Sequence, residues 1–226
     1  MESQVASEIF QTEVGLMSNF NELIACKNSQ TCAVIDPAFE VDRLLREAKQ
    51  RGWIIRAILV THTHHDHVDG VEQMVKATGA TAYVGAGEVE SLRRAAPSAQ
   101  IVGLAGGEAI EVGDLRIAAL PTPGHTVAGT SYVVDGNVFT GDTLFVGGCG
   151  RTDFPGGDAP ILWRSLQRLA ALPEETRVYP GHDYGQTPTS TIGWEKTTNP
   201  YLLCKSEAEF VALRTGKSAP RPQRRK

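Results

Sequence analysis

Thr61-His62-Thr63-His64-His65-Asp66-His67-Val68-Asp69-Gly70 holds four of the six histidines in the chain, with a carboxylate between the last two. The run before it, Ile55-Arg56-Ala57-Ile58-Leu59-Val60, is apolar, β-branched and of strand length. The histidines therefore stand where a buried strand gives way to a loop, which is where α/β folds place their chemistry. Imidazole is the commonest metal ligand in proteins, and carboxylates are hard partners for zinc or iron. In an extended segment His62 and His64 point the same way, because side chains alternate with period two. A turn after them sends Asp66 and His67 toward a second point, so one loop offers two ligand pairs. Known two-metal sites hold their ions roughly 3.5–4 Å apart.

The other two histidines share the same design. His125 lies in Pro121-Thr122-Pro123-Gly124-His125-Thr126 and His182 in Tyr179-Pro180-Gly181-His182-Asp183-Tyr184, each after a strand-like run and a glycine. A third such strand end, Val138-Phe139-Thr140-Gly141-Asp142-Thr143, presents a carboxylate. A histidine cluster internal to the chain and preceded by a strand is not an expression tag. Together these residues predict a metal centre.

The chain has 226 residues, 41% of them hydrophobic and 21% charged, with a formal net charge of −4. That is the composition of an ordinary globular protein, and it argues against a nucleic-acid partner. No apolar run approaches the ~20 residues of a membrane span, and no signal-peptide pattern opens the chain. Cys26, Cys32, Cys149 and Cys204 are scattered without a CxxC pair, the pattern of reduced thiols, so a cytoplasmic location is expected. An oligomer is compatible with this sequence. One domain is expected over residues 1–216, followed by a basic Pro/Arg-rich tail over residues 217–226 read as disordered.

Strands are expected over 15–26 and 31–36, joined by Lys27-Asn28-Ser29-Gln30. Val41, Leu44, Leu45 and Ala48 repeat at helical spacing, and Gly52 stops them. After the histidine loop come a helix through Val71, Met74, Val75 and Ala77, a strand over 81–84 and a short helix over 88–95. Residues 101–145 read as β-rich, with hairpin turns at Gly113-Asp114 and Asp135-Gly136. A helix over 159–172 and a strand over 177–179 complete the pattern. Alternation of strands and helices succeeded by a β-rich half indicates layered α/β architecture.

His62-Thr63-His64-His65-Asp66-His67, then His125, Asp142 and His182 in that order, resembles the metallo-β-lactamase superfamily and its HxHxDH signature, and the likeness runs from about Gly15 to about Leu203. It implies an αββα sandwich, with two face-to-face sheets, helices outside and the metal site along one edge. It also implies one metal on His62, His64 and His125, a second on Asp66, His67 and His182, and Asp142 as the bridge. His65 occupies a variable position of the motif and reads as a loop residue. Two divalent ions are implied, zinc first, with iron or manganese as substitutes. A water between them would lose its proton near neutral pH and act as nucleophile, with Asp66 orienting it.

Gly141-Asp142-Thr143-Leu144-Phe145-Val146-Gly147-Gly148-Cys149-Gly150-Arg151 and Gly181-His182-Asp183-Tyr184 resemble the glyoxalase II (hydroxyacylglutathione hydrolase) branch. The likeness implies hydrolysis of a glutathione thioester, with Arg151 and Tyr184 matching glutathione-binding positions. A guanidinium can clamp a carboxylate with two bonds, although a surface ion pair accounts for Arg151 equally well. Cys149 reads as turn packing. Arg151-Thr152-Asp153-Phe154, Ser190-Thr191, Glu195 and Asn199-Pro200 resemble instead the persulfide dioxygenases. Those imply a single Fe(II) on His62, His125 and Asp142. A non-catalytic metal-binding scaffold is the third reading, for which lost ligands would be the sign; none is lost.

Overall fold

The computed structural model describes residues 7–216; the expected tail lies outside the described residues. Strands β1 (Ser7–Val14), β2 (Asn19–Cys26) and β3 (Thr31–Ile35) form an antiparallel meander. Helix α1 (Val41–Gln50) then carries the chain to β4 (Ile54–Leu59), which lies parallel to β3. The histidine loop and helices α2 (His65–Val68) and α3 (Val71–Thr78) lead to β5 (Thr81–Gly85). Helix α4 (Val89–Ala95) leads to β6 (Ile101–Leu104), completing a six-stranded sheet in chain order. The second sheet begins with β7 (Ala109–Val112), β8 (Leu115–Pro121), β9 (Thr130–Val134) and β10 (Asn137–Gly141). After the small hairpin β11 (Leu144–Phe145) and β12 (Gly148–Cys149), helix α5 (Ala159–Ala170) crosses over to β13 (Arg177–Pro180), parallel to β10. Strand β14 (Ser190–Thr191) and helices α6 (Ile192–Thr198) and α7 (Glu207–Arg214) come last, and the sheet order is β14-β13-β10-β9-β8-β7.

Three apolar layers hold this arrangement. Ile24, Ala33, Ile35 and Leu59 of the first sheet meet Ile117, Tyr132, Val134 and Phe139 of the second. Leu44, Met74 and Leu92 of α1, α3 and α4 cover the outer face of the first sheet. Leu162, Leu166, Leu169, Ile192 and Phe210 of α5, α6 and α7 cover the outer face of the second, against Val138 and Val178. The result is the expected αββα sandwich. Burial removes most of this apolar area from water at roughly 25 cal/mol per Å². No helix among the described residues is long and apolar enough to cross a membrane.

The local structure differs from expectation in three places. Residues 15–18 are a turn, not strand, and the residues before them form β1. An edge strand is half covered, so β1 mixes exposed, partly buried and buried residues without a clear apolar period. Helices α6 and α7 were not expected, although Ser206 with Glu209 is an N-terminal capping signature and Ser206 does accept from Glu209 N.

Candidate metal centre

Four strands of two sheets end at one edge of the sandwich, and each delivers ligands there. The end of β4 supplies His62 and His64, and the short α2 turns Asp66 and His67 inward. The loop after β8 supplies His125, the end of β10 supplies Asp142, and the end of the parallel β13 supplies His182. All are buried or nearly so except His64, which is partly exposed. Two glycines let the loops approach. Gly141 has φ +48°, and any Cβ there would strike the Thr61 side chain. A Cβ on Gly181 would lie 2.6 Å from Asp142 Oδ1 and 2.9 Å from His67 Cε1.

Two donor sets result. His64 Nδ1 is 3.0 Å from His62 Nε2 and 3.0 Å from His125 Nε2. His182 Nε2 lies 3.2 Å from His67 Nε2 and 3.4 Å from Asp66 Oδ2. Asp142 stands between them, with Oδ2 3.5 Å from His125 Nε2 and Oδ1 3.4 Å from both His67 Nε2 and His182 Nε2. That Oδ1 is buried without a hydrogen-bond partner.

The rear nitrogens fix what the front ones present, with protons assigned from the hydrogen-bond network. His125 Nδ1 faces the Arg151 carbonyl at 2.7 Å and His182 Nδ1 faces the Met17 carbonyl at 2.9 Å. His67 Nδ1 faces Asp36 Oδ2 at 2.9 Å. The Thr61 hydroxyl donates to Asp36 Oδ2 at 2.5 Å, so it accepts from His62 Nδ1 at 3.1 Å. Each rear nitrogen therefore donates, and the Nε2 atoms of His62, His67, His125 and His182 present lone pairs inward. Lone pairs and carboxylate oxygens converging at 3.0–3.5 Å repel unless positive charge lies among them. This donor set fits divalent cations such as zinc or iron.

Without a cation, protons supply that charge. Burial pulls His182 down, but Asp142 and Asp66 outweigh it and raise the imidazole to about 9. His67 is likewise lowered by burial and lifted well above its ordinary range by Asp142 and Asp36. Burial and then the charge on His67 push His62 well below that range. Burial acts to raise Asp142, yet His67 and His182 hold it well below the carboxylate range.

Of the supports, the sequence pointed to Glu195 and Asn199 but not to the roles of Asp36, Asn19 and Glu88. Asp36, which reads as a strand breaker, accepts from Thr61 N at 2.7 Å as well as from Thr61 Oγ1 and His67. It could be grouped with His62 and His67 as a ligand set, but these bonds already engage it behind the imidazoles. Asn19 holds Asp66 through its carboxylate at 3.1 Å and its carbonyl at 2.9 Å. Glu88 accepts from Thr63 N and Thr63 Oγ1, both at 2.6 Å, from Thr126 Oγ1, and from Ala128 N at 3.3 Å. Glu195 and Asn199 bind the hairpin turn that leads to Arg151, at Gly147 N (3.1 Å) and the Gly148 carbonyl (3.0 Å).

The remaining expected residues lie at the mouth. His65 is exposed, with 74% of its side chain accessible. Tyr184 stacks on His182, ring centroids 4.6 Å apart. Arg151 forks onto Asp153 (2.8 and 2.6 Å) and lies over Phe154, whose ring meets that of His64 at 5.5 Å. Asp153 thus occupies the fork that the sequence offers to a substrate carboxylate. Cys149 is buried, and burial pushes its thiol far above the ordinary range, so it is no nucleophile at neutral pH.

Comparison with known proteins agrees with this geometry. A beta-lactamase hydrolase-like protein of Xylella fastidiosa (strain 9a5c) is 34% identical over 238 residues, covering 91% of this chain and 55% of that protein. The chain therefore spans about half the length of that relative. A hydroxyacylglutathione hydrolase of Pseudomonas entomophila is 41% identical over 170 residues, covering 74% of this chain and 62% of the relative. ETHE1 from Myxococcus xanthus, a solved structure, matches with a TM-score of 0.83 at 35% identity, over 95% of this chain and 93% of that one. Residues 23–182 match the Metallo-beta-lactamase superfamily, a span that contains all seven candidate ligands, and the chain belongs to that largely hydrolytic, metal-dependent superfamily.

Proposed function

We propose that this protein is a dinuclear metal-dependent hydrolase of thioesters, glutathione thioesters among them, working on a small-molecule substrate without nucleic acid or membrane. The observation that supports it is Asp142, whose two oxygens face the two donor sets separately, one toward His125 and one toward His67 and His182. A carboxylate so placed offsets repulsion between two cations. His62, His64 and His125 would hold one, and Asp66, His67 and His182 the other. Bound there, divalent cations supply Lewis acidity and a water acidic near neutral pH.

The residues of the chain do the positioning. Asp66, fixed by Asn19 and beside His67 and His182, would accept a hydrogen bond from the attacking water. Asp36, Thr61, Met17 and Arg151 keep the imidazoles aimed as neutral ligands through their rear contacts, and Glu88 ties together the loops that carry His62, His64 and His125. Water oxygen would join the acyl carbon and the acyl–sulfur bond break, one water proton passing to the departing thiolate and the other to solvent as the carboxylate leaves. Tyr184 and Arg151 flank the mouth as the substrate-facing pair. A cytoplasmic setting is consistent with four free, buried cysteines.

The test is elemental analysis and turnover on the same preparations. The wild-type protein should hold two ions per chain and cleave thioesters, and His182→Ala should hold about one and lose most turnover. A wild-type protein holding one iron on His62, His125 and Asp142, inert to thioesters and consuming oxygen with a persulfide, would overturn the hydrolase.

A further inference from the structure

Five of the ten exposed large apolar side chains among the described residues sit on the loops around the metal centre: Leu16, Met17, Val127, Phe154 and Tyr184. Leu16 is fully exposed, on a turn bolted to the His182 loop. Met17 O accepts from His182 Nδ1 at 2.9 Å, and Asp183 N donates to Ser18 O at 2.8 Å. Tyr184 lies flat on His182 and meets Phe145 edge-on at 5.3 Å. On the other side, Phe154 meets His64 and Val127 comes two residues after His125, close enough to Gly156 that a Cβ there would lie 2.8 Å from Val127 Cγ1. Each donor set thus has apolar side chains on its solvent side. Exposing several such groups around one site is costly in water and marks contact with an apolar ligand.

Charge points the same way. In the segments that surround the centre, residues 15–18, 61–67, 122–129, 142–158 and 181–189, the single Lys or Arg is Arg151. Its guanidinium is forked by Asp153 and lies over Phe154. We infer that the mouth selects thioesters by an apolar acyl group, aliphatic or aromatic, laid across Phe154 and Val127 or Leu16 and Tyr184. This rests on the hydrolase reading for the reaction, but the apolar contact is a property of the surface itself.

Zinc-loaded full-length protein should be assayed with the acetyl, hexanoyl and phenylacetyl thioesters of N-acetylcysteamine, a thiol arm without charge. The kcat/KM should rise about tenfold or more from acetyl to hexanoyl and to phenylacetyl, well short of full burial of four methylenes. Phe154→Ser and Leu16→Ser should each keep wild-type zinc content, and at least one should lower that ratio threefold or more. A ratio near one in the wild-type protein, or a ratio unchanged in both variants, would overturn the inference. Should no thioester be cleaved, the hydrolase reading falls, and binding of thiols to cobalt-substituted protein decides the surface. Benzyl mercaptan binding about tenfold more tightly than 2-mercaptoethanol upholds the apolar mouth, and equal affinities refute it.

Discussion

Glu88→Gln separates the two halves of the centre. Glu88 is 3% exposed, and its carboxylate ties the loop carrying His62 and His64 to the loop carrying His125. One oxygen takes both Thr63 donors, and the other takes the Thr126 hydroxyl and Ala128 N. Glutamine keeps a single acceptor oxygen. It serves best on the Thr63 side, where one donor is a backbone N–H, while the Thr126 hydroxyl rotates to accept from the new amide. The loss is the charge assistance and the long Ala128 bond, about 1.5–3 kcal/mol of stability. Alanine leaves two backbone N–H groups and two hydroxyls without this acceptor, about 3–5 kcal/mol. Glu88 touches none of Asp66, His67 and His182, which rest on Asn19, Asp36 and Met17. Zinc affinity of the first set should therefore fall about 10–100-fold, the scale for residues behind metal ligands, and that of the second set about threefold or less. Titration of zinc-free protein against a chromophoric chelator resolves the two constants, with a melting curve as the control for folding. Equal weakening of both sites, or of neither, would refute the assignment of Glu88 to one of them.

Asp142→Asn should reduce metal content from two ions toward one and cut thioesterase activity about a hundredfold or more, because it halves the negative charge facing the pair; two retained ions with full turnover contradict the bridge. Zinc binding at pH 7 should release about two protons per chain from His67 and His182. Protons and cation compete for the same nitrogens, so affinity rises with pH until it levels above about 9, the value to which Asp142 and Asp66 lift His182 against its burial; calorimetry in buffers of differing ionisation enthalpy measures this, and flat affinity between pH 6 and 9 opposes it. Burial pushes the Glu22 carboxyl up to about 8 despite its bond from Gln11. A raised folded value means that its stabilising contribution is complete below about 4.5 and lost as pH rises through 8, so Glu22→Gln should raise stability at pH 8.5 by roughly 2–4 kcal/mol and little at pH 4.5, read as Tm. Asp153→Asn frees the Arg151 fork and should lower KM for a glutathione thioester about three- to tenfold, near the upper scale of an exposed ion pair; an identical effect on a thioester of an uncharged thiol makes Arg151 structural.

The candidate ligands were legible because histidine is scarce here and chemistry at strand ends is local. An apolar run of six residues says where β4 stops, and the residues after it must lie on the sandwich edge. The roles of Asp36 and Glu88 were illegible because they are set by tertiary approach. Asp36 precedes a proline and adopts φ +42°, which reads as a turn, while its oxygens meet residues 25 and 31 positions away. Glu88 sits before α4, where an acidic residue is ordinary near a helix start, and its partners lie 25 to 40 positions distant. Arg151 shows the reverse. Its side chain looked functional and forks onto Asp153, whereas its backbone carbonyl, which carries no sequence signal, orients His125.

The choice between two metals and one turns on what a protein must do with Asp66, His67 and His182 when no cation lies among them. Each is under a tenth exposed, at 7%, 1% and 2%. Each is held from behind by its own partner, so none can turn away to water. A single iron on His62, His125 and Asp142 would leave this trio as a buried carboxylate facing two imidazoles, neutralised only by protons taken up there. Such burial costs several kcal/mol before compensation, and the glycine at 181, where a side chain would strike both Asp142 and His67, adds a constraint that only close approach to Asp142 explains. A second cation would relieve the cost of that burial and give Asn19, Met17 and Asp36 a common purpose. The burial of this trio supports the proposed dinuclear reading, in which Asp142 would be the joint.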